Sequence, residues 1–141
     1  MTNRILALRE ENDLNQKQIS QIIGVSRSLI SKWECDKESI PLKHLLSYSN
    51  YFKKSFDYLT NISNNNNYVY IKQLEPIVIG SNLKNARENH NDSVRSLANK
   101  LNTTHSTITA YETGKVLIKT DFVIQICKIY NISLDSLCQK K

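Results

Sequence analysis

Sliding the 141-residue chain against itself by 78 positions aligns Ile5 with Leu83 and continues without a gap to Leu59 against Leu137. Arg9/Arg87, Glu10/Glu88, Ser28/Ser106, Ile30/Ile108, Glu34/Glu112, Lys37/Lys115, Ile40/Ile118, Ser55/Ser133, Asp57/Asp135 and Leu59/Leu137 are identical pairs. Apolar positions correspond as well: Ile19 with Leu97, Ile23 with Leu101, Trp33 with Tyr111 and Phe56 with Leu134. A chain that repeats in this way is two small units rather than one fold of its full length. Units of roughly 60 residues can bury a modest core without disulfides, each with marginal stability of its own.

Each copy reads as five short helices. In the first, Ile5 and Leu8 supply the inner face of the opening helix, and Asn15 to Trp33 supplies the next two. Asn15 suits an N-cap, Ile19, Ile22 and Ile23 lie on one side of the helix that follows, and Gly24 can take the positive φ that ends it. Ser26 caps the third helix, where Ile30 and Trp33 face inward and Arg27, Ser28, Ser31 and Lys32 are left outward. Pro41 marks the start of a fourth helix carrying Leu42, Leu45, Leu46 and Phe52, and Ser55 caps a last turn with Phe56 and Leu59.

No Asp or Glu occurs between Asp13 and Glu34, so the outward face of helices two and three has no carboxylate to repel a phosphate backbone. The net charge of +6 and pI near 9.2 are compatible with a polyanionic partner. Gln16, the Gly24-Val25-Ser26 turn and the run from Arg27 to Glu34 (RSLISKWE) resemble the helix-turn-helix of the Cro/phage-repressor-like (XRE) family. The resemblance implies an all-α chain of two tandem five-helix lambda-repressor-like domains: residues 1–60, a partly flexible Asn-rich linker over 61–80, and a divergent second domain over 81–141. It also implies that the second helix of the motif lies in the major groove of double-stranded DNA while the first crosses the phosphates. Arg27, Ser28, Ser31 and Lys32 would then face the groove, with Gln16, Lys17 and Lys37 on the backbone or adjacent bases.

The second motif, Ser93 to Lys115, keeps the skeleton and changes the chemistry. Ser93 and Thr104 remain good caps, and Asn102 takes the place of Gly24, which Asn can do because it tolerates the left-handed region. Val94 stands at the Gln16 position and Ala110 at the Lys32 position, so two expected DNA contacts are missing. His105, Ser106, Thr107 and Thr109 remain outward, with Arg95 and Lys115 nearby as candidate DNA contacts. Basic side chains outnumber acidic ones nine to five in residues 81–141 and nine to seven in residues 1–60. Against DNA contact, Val116, Leu117 and Ile118 put apolar residues where the first copy has Glu38, Ser39 and Ile40.

Two arrangements follow. Either each copy reads one half-site of an asymmetric operator, or the first copy reads DNA and the second makes a homodimer. A linker of about twenty residues at up to ~3.4 Å each spans the ~34 Å between successive major grooves, and the retained basic character favours the tandem reader. Within the linker, Asn64 to Asn67 has nothing to bury, whereas Tyr68 to Ile71 is apolar and is expected to pack on the second unit rather than to form a dimer contact.

Other functions fit less well. His44, His90 and His105 share no ligand or triad spacing with a Cys, Ser or carboxylate, and three Gly residues form no phosphate-cradling loop, so neither an enzyme, a cofactor nor a metal is indicated. Glu34 and Glu112 are read as local salt bridges or cap contacts. Cys35, Cys127 and Cys138 suggest neither a disulfide framework nor a zinc site. No stretch is long and apolar enough to span a membrane, and Met1 is followed by a charged amphipathic segment, which together suggest the cytoplasm. The expected function is a transcriptional regulator of a bacterium or phage, a repressor that occludes a promoter. The competing reading is a module that uses the same fold to hold a partner protein, like some antitoxins and phage-encoded inhibitors.

Overall fold

A computed structural model describes residues 3–140, and all of its regular elements are helices. The first five are α1 (Ile5–Glu11), α2 (Gln16–Ile23), α3 (Arg27–Glu34), α4 (Leu42–Phe52) and α5 (Phe56–Leu59). The second five are α6 (Pro76–Asn89), α7 (Val94–Lys100), α8 (His105–Glu112), α9 (Thr120–Tyr130) and α10 (Leu134–Cys138). The chain divides into two compact units between Tyr70 and Ile71.

Local chemistry explains the helix boundaries. Asn15 accepts from Gln18 N–H while the Gln18 side chain accepts from Asn15 N–H, a reciprocal capping box at the start of α2. Ser26 caps α3, and Ser93, Thr104 and Ser133 cap α7, α8 and α10 in the same way. Four left-handed turns recur at the repeat spacing: Asp13/Asn91, Gly24/Asn102, Asp36/Gly114 and Lys53/Asn131, all with φ between 53° and 83°. Asn, Asp and Gly dominate these positions because they tolerate the left-handed region; Lys53 is the exception.

In the first unit Ile5, Ile19, Ile30, Trp33, Leu45, Tyr48, Phe56 and Leu59 are all but inaccessible. Burying each such side chain contributes about 1.5–3 kcal/mol before chain entropy is subtracted. Ile22 departs from the expected inner stripe and is 39% exposed, because the buried side of α2 is centred on Ile19, Ser20 and Ile23 and leaves Ile22 at its edge. In the second unit Leu97, Ile108, Val123, Ile126, Leu134 and Leu137 form the matching core.

The stretch over 61–80 is more ordered by contact than its composition suggests. The Arg4 guanidinium lies 4.1 Å from the Tyr58 ring centre and donates to the carbonyls of Tyr58 and Ser63 and to the Asn64 side chain. The Ser55 hydroxyl donates to the Asn65 carbonyl, and the Tyr68 hydroxyl donates to Asn50. Tyr68 therefore belongs to the first unit, not the second, and Val69 and Tyr70 are exposed. At the other end α6 begins at Pro76, a favoured first position that lacks only an N–H the helix would not use. Its first seven residues, Pro76 to Asn82, precede the part aligned with α1.

Those added turns lie against the end of α8. A Cβ on Gly80 would meet the Tyr111 carbonyl oxygen and come within 2.7 Å of the Glu112 carbonyl oxygen, so only glycine permits the approach. Gly114, at φ 74°, is likewise pressed against the main chain of Ile77.

Candidate nucleic-acid interface

The helix-turn-helix of the first unit is built on a buried ion pair. Arg9 Nε and Nη2 donate to Glu34 Oε2 and Oε1 at 2.7 and 3.0 Å, and Nη1 donates to the Leu14 carbonyl at 2.9 Å. The Glu34 side chain is 3% exposed and its hydrogen bonds raise the Arg9 pKa. The second unit repeats the geometry with Arg87 and Glu112 at 2.7 and 2.9 Å, and with Arg87 Nη1 on the Asp92 carbonyl at 2.8 Å. Glu34 and Glu112 are thus cross-helix clamps that tie the ends of α3 and α8 to the first helix of each unit and the turn after it, rather than local salt bridges. Retention of both pairs across the repeat was the available signal.

Gln16 is attached to the same clamp. Its Nε2 donates to Glu34 Oε1 at 3.0 Å, which directs the amide across the mouth of α3. Gln16, Arg27, Ser28, Ser31, Lys32 and Lys37 line one shallow open depression of about 460 Å³. Lys17 is exposed one residue along α2 and lies outside that lining. The face is not wholly free of acid: Glu38 lies 3.5 Å from Lys32, although both side chains are about half exposed and such a pair contributes little.

In the second unit His105, Ser106, Thr109, Arg95 and Lys115 are exposed and Thr107 is half-buried. The Thr107 hydroxyl is engaged with that of Thr104 at 2.9 Å. Val94 has no amide to reach Glu112, and Ala110 and Val116 replace the Lys32–Glu38 pair. The two motifs share a backbone: Lys37 N–H and Lys115 N–H close the same turn onto the Lys32 and Ala110 carbonyls, at 2.9 and 3.0 Å. Their outer surfaces differ.

His44 is half-buried with its ring 5.2 Å from that of Trp33, and burial lowers its pKa, as expected of a packing residue. Cys35 is exposed while Cys127 and Cys138 are buried, all as thiols. Among the described residues no three His, Cys, Asp or Glu side chains are grouped to hold a metal ion, and no helix is long and apolar enough to cross a membrane.

A capped helix, a tight left-handed turn and a second capped helix with a polar outer face, present twice and cationic on that helix only in the first copy, define a protein with two helix-turn-helix units. Comparison with protein families agrees at both places: the family described as "Helix-turn-helix" matches residues 5–59, and that described as "Helix-turn-helix domain" matches residues 80–141. The chain belongs to the XRE-type helix-turn-helix proteins and carries two such domains in tandem. No curated protein and no solved structure was found to match it.

Proposed function

We propose that the chain is a sequence-specific double-stranded DNA-binding regulator that represses by occupying an operator overlapping a promoter. The observation that carries this reading is the depression shared by Gln16, Arg27, Ser28, Ser31, Lys32 and Lys37. Donors from two helices converge there on an outer surface wide enough to meet a groove wall and its phosphates. Arg27, at the first position of α3, is the side chain suited to a guanine edge, and Ser28, Ser31 and Lys32 extend the contact along the helix. Gln16, held by Glu34, and Lys17 and Lys37 are suited to phosphates.

The second unit takes a lesser part in this reading. Its His105, Ser106 and Thr109 can hydrogen-bond bases or phosphates beside Arg95 and Lys115, but it lacks the amide and the ammonium that Val94 and Ala110 replace. The test is a footprint on DNA flanking the chain's own gene, with Arg27→Ala and His105→Ala in parallel. Arg27→Ala is expected to weaken specific binding by ~1–3 kcal/mol and to relax preference at one base position. Equal weakening on every DNA sequence would overturn the base-reading role of Arg27.

A further inference from the structure

The repeat supplies an internal control, because α3 and α8 are both eight residues long and both capped by a hydroxyl, yet carry different side chains. The six residues that line the depression on the first unit align with Val94, His105, Ser106, Thr109, Ala110 and Lys115 in the second. The exchange removes the means of selecting three of the four bases. Guanine is selected by Arg or Lys and adenine by Asn or Gln, and α8 carries none of these. Cytosine is selected by Asp or Glu, and the only acid on α8 is Glu112. Its side chain is 7% exposed and both oxygens are held by Arg87 at 2.7 and 2.9 Å, so it is not offered to a base. Asp92, ahead of α7, is as deeply buried and accepts from Lys100 and Tyr130.

What the exchange adds is hydrocarbon. Thr109 and Ala110 bring methyl groups to the places of Ser31 and Lys32, and Val94 is apolar where the first unit has Gln16. Thr109 is exposed, and Val94 and Ala110 are half-buried. Thymine is the base that presents a methyl group in the major groove, and Ala and the methyl of Thr are suited to contact it. His105 and Ser106, both exposed, can donate to or accept from more than one base, so they add affinity without deciding identity. Arg95, on α7, and Lys115, in the turn after α8, are exposed and lie off the helix that enters the groove, where phosphates are met.

We infer that the second unit reads thymine, with Thr109 and Ala110 in contact with its C5 methyl group. An operator for this chain then joins a half bearing guanine, read through Arg27, to a half bearing thymine. The inference rests on the DNA-binding reading above and supplies the base that its second half selects.

The test selects sites from random double-stranded DNA with the full chain, and repeats the selection with Arg27→Ala to identify the half read by the first unit. In the other half, deoxyuridine is then put in place of thymine, which removes the methyl group and leaves every hydrogen-bonding group of the base. The wild-type chain is expected to bind about fourfold more weakly for each contacted methyl group that is lost. Thr109→Ser and Ala110→Lys carry over the residues that the first unit holds at the same two places. The first should lessen the deoxyuridine penalty, and the second should abolish it and bring guanine into the selected half. Sites with a single half, a second half that favours guanine or no base, or a thymine preference indifferent to deoxyuridine would each overturn the inference and leave the base-reading role of the first unit standing. Selection of no site at all would remove the DNA-binding reading, and this inference with it.

Discussion

Tyr48 is fully buried between Trp33 and Phe52, and its hydroxyl meets no hydrogen-bond partner among the described residues. An unmatched buried hydroxyl costs about 1–3 kcal/mol relative to one that is paired. The second unit has Ile126 at the same place, so the core does not need that oxygen. Tyr48→Phe is therefore expected to leave stability unchanged or raise it by about 1 kcal/mol, read as an increased urea midpoint with unchanged slope. A lower midpoint would reveal a partner for the hydroxyl. Asp92 presents the opposite case. Burial pushes its carboxyl up, but hydrogen bonds from Lys100, Ser96 and Tyr130 outweigh burial and hold its pKa down at about 2. A carboxyl depressed in the folded state stabilises it above the unfolded value near 4, and that contribution disappears as pH falls from about 4 to about 2. Acid titration of the second unit should show a loss on the order of 1–2 kcal/mol across that window, absent in Asp92→Asn.

At the scale of elements, the left-handed turn between the two helices of each motif is a test of backbone chemistry separate from DNA contact. Gly24 has φ 83° with open space around its Cα, and Asn102 holds φ 56° at the same place. Gly24→Asn should keep the first unit folded with little loss. Gly24→Val should cost about 1–2 kcal/mol, since a β-branched residue is strained there; thermal melts of the two variants distinguish them. This level was the most legible in the sequence. Caps, turns and buried stripes depend on residues within four or five positions of each other, and Asn15, Gly24, Ser26 and Ser55 could be read directly. Contacts across longer separations were not legible. Glu34 looks like a helix-end carboxylate until Arg9, 25 residues away, is brought onto it. Lys32 and Glu38 meet only because the chain turns between them. Tyr68 reads as part of an apolar run, yet its hydroxyl selects Asn50 in the first unit.

For the whole molecule, a net charge of +6 makes any DNA association sensitive to salt, and the number of phosphates neutralised sets the slope. Lys17→Ala and Lys37→Ala should each lower the slope of log affinity against log salt by about 0.9 while weakening all sequences alike, in contrast to Arg27→Ala. Filter binding at several salt concentrations reads the difference, and an unchanged slope in either lysine variant would remove that residue from the backbone contacts. The first turns of α6 decide where the second domain can be cut. The aligned repeat opens at Leu83, seven residues into α6, which itself begins at Pro76. Those seven residues lie against the end of α8, where Gly80 and Gly114 leave room for them. A gene fragment cut at the start of the repeat, at Leu83, would lose the turns that brace α8. A separable second domain must begin no later than Pro76.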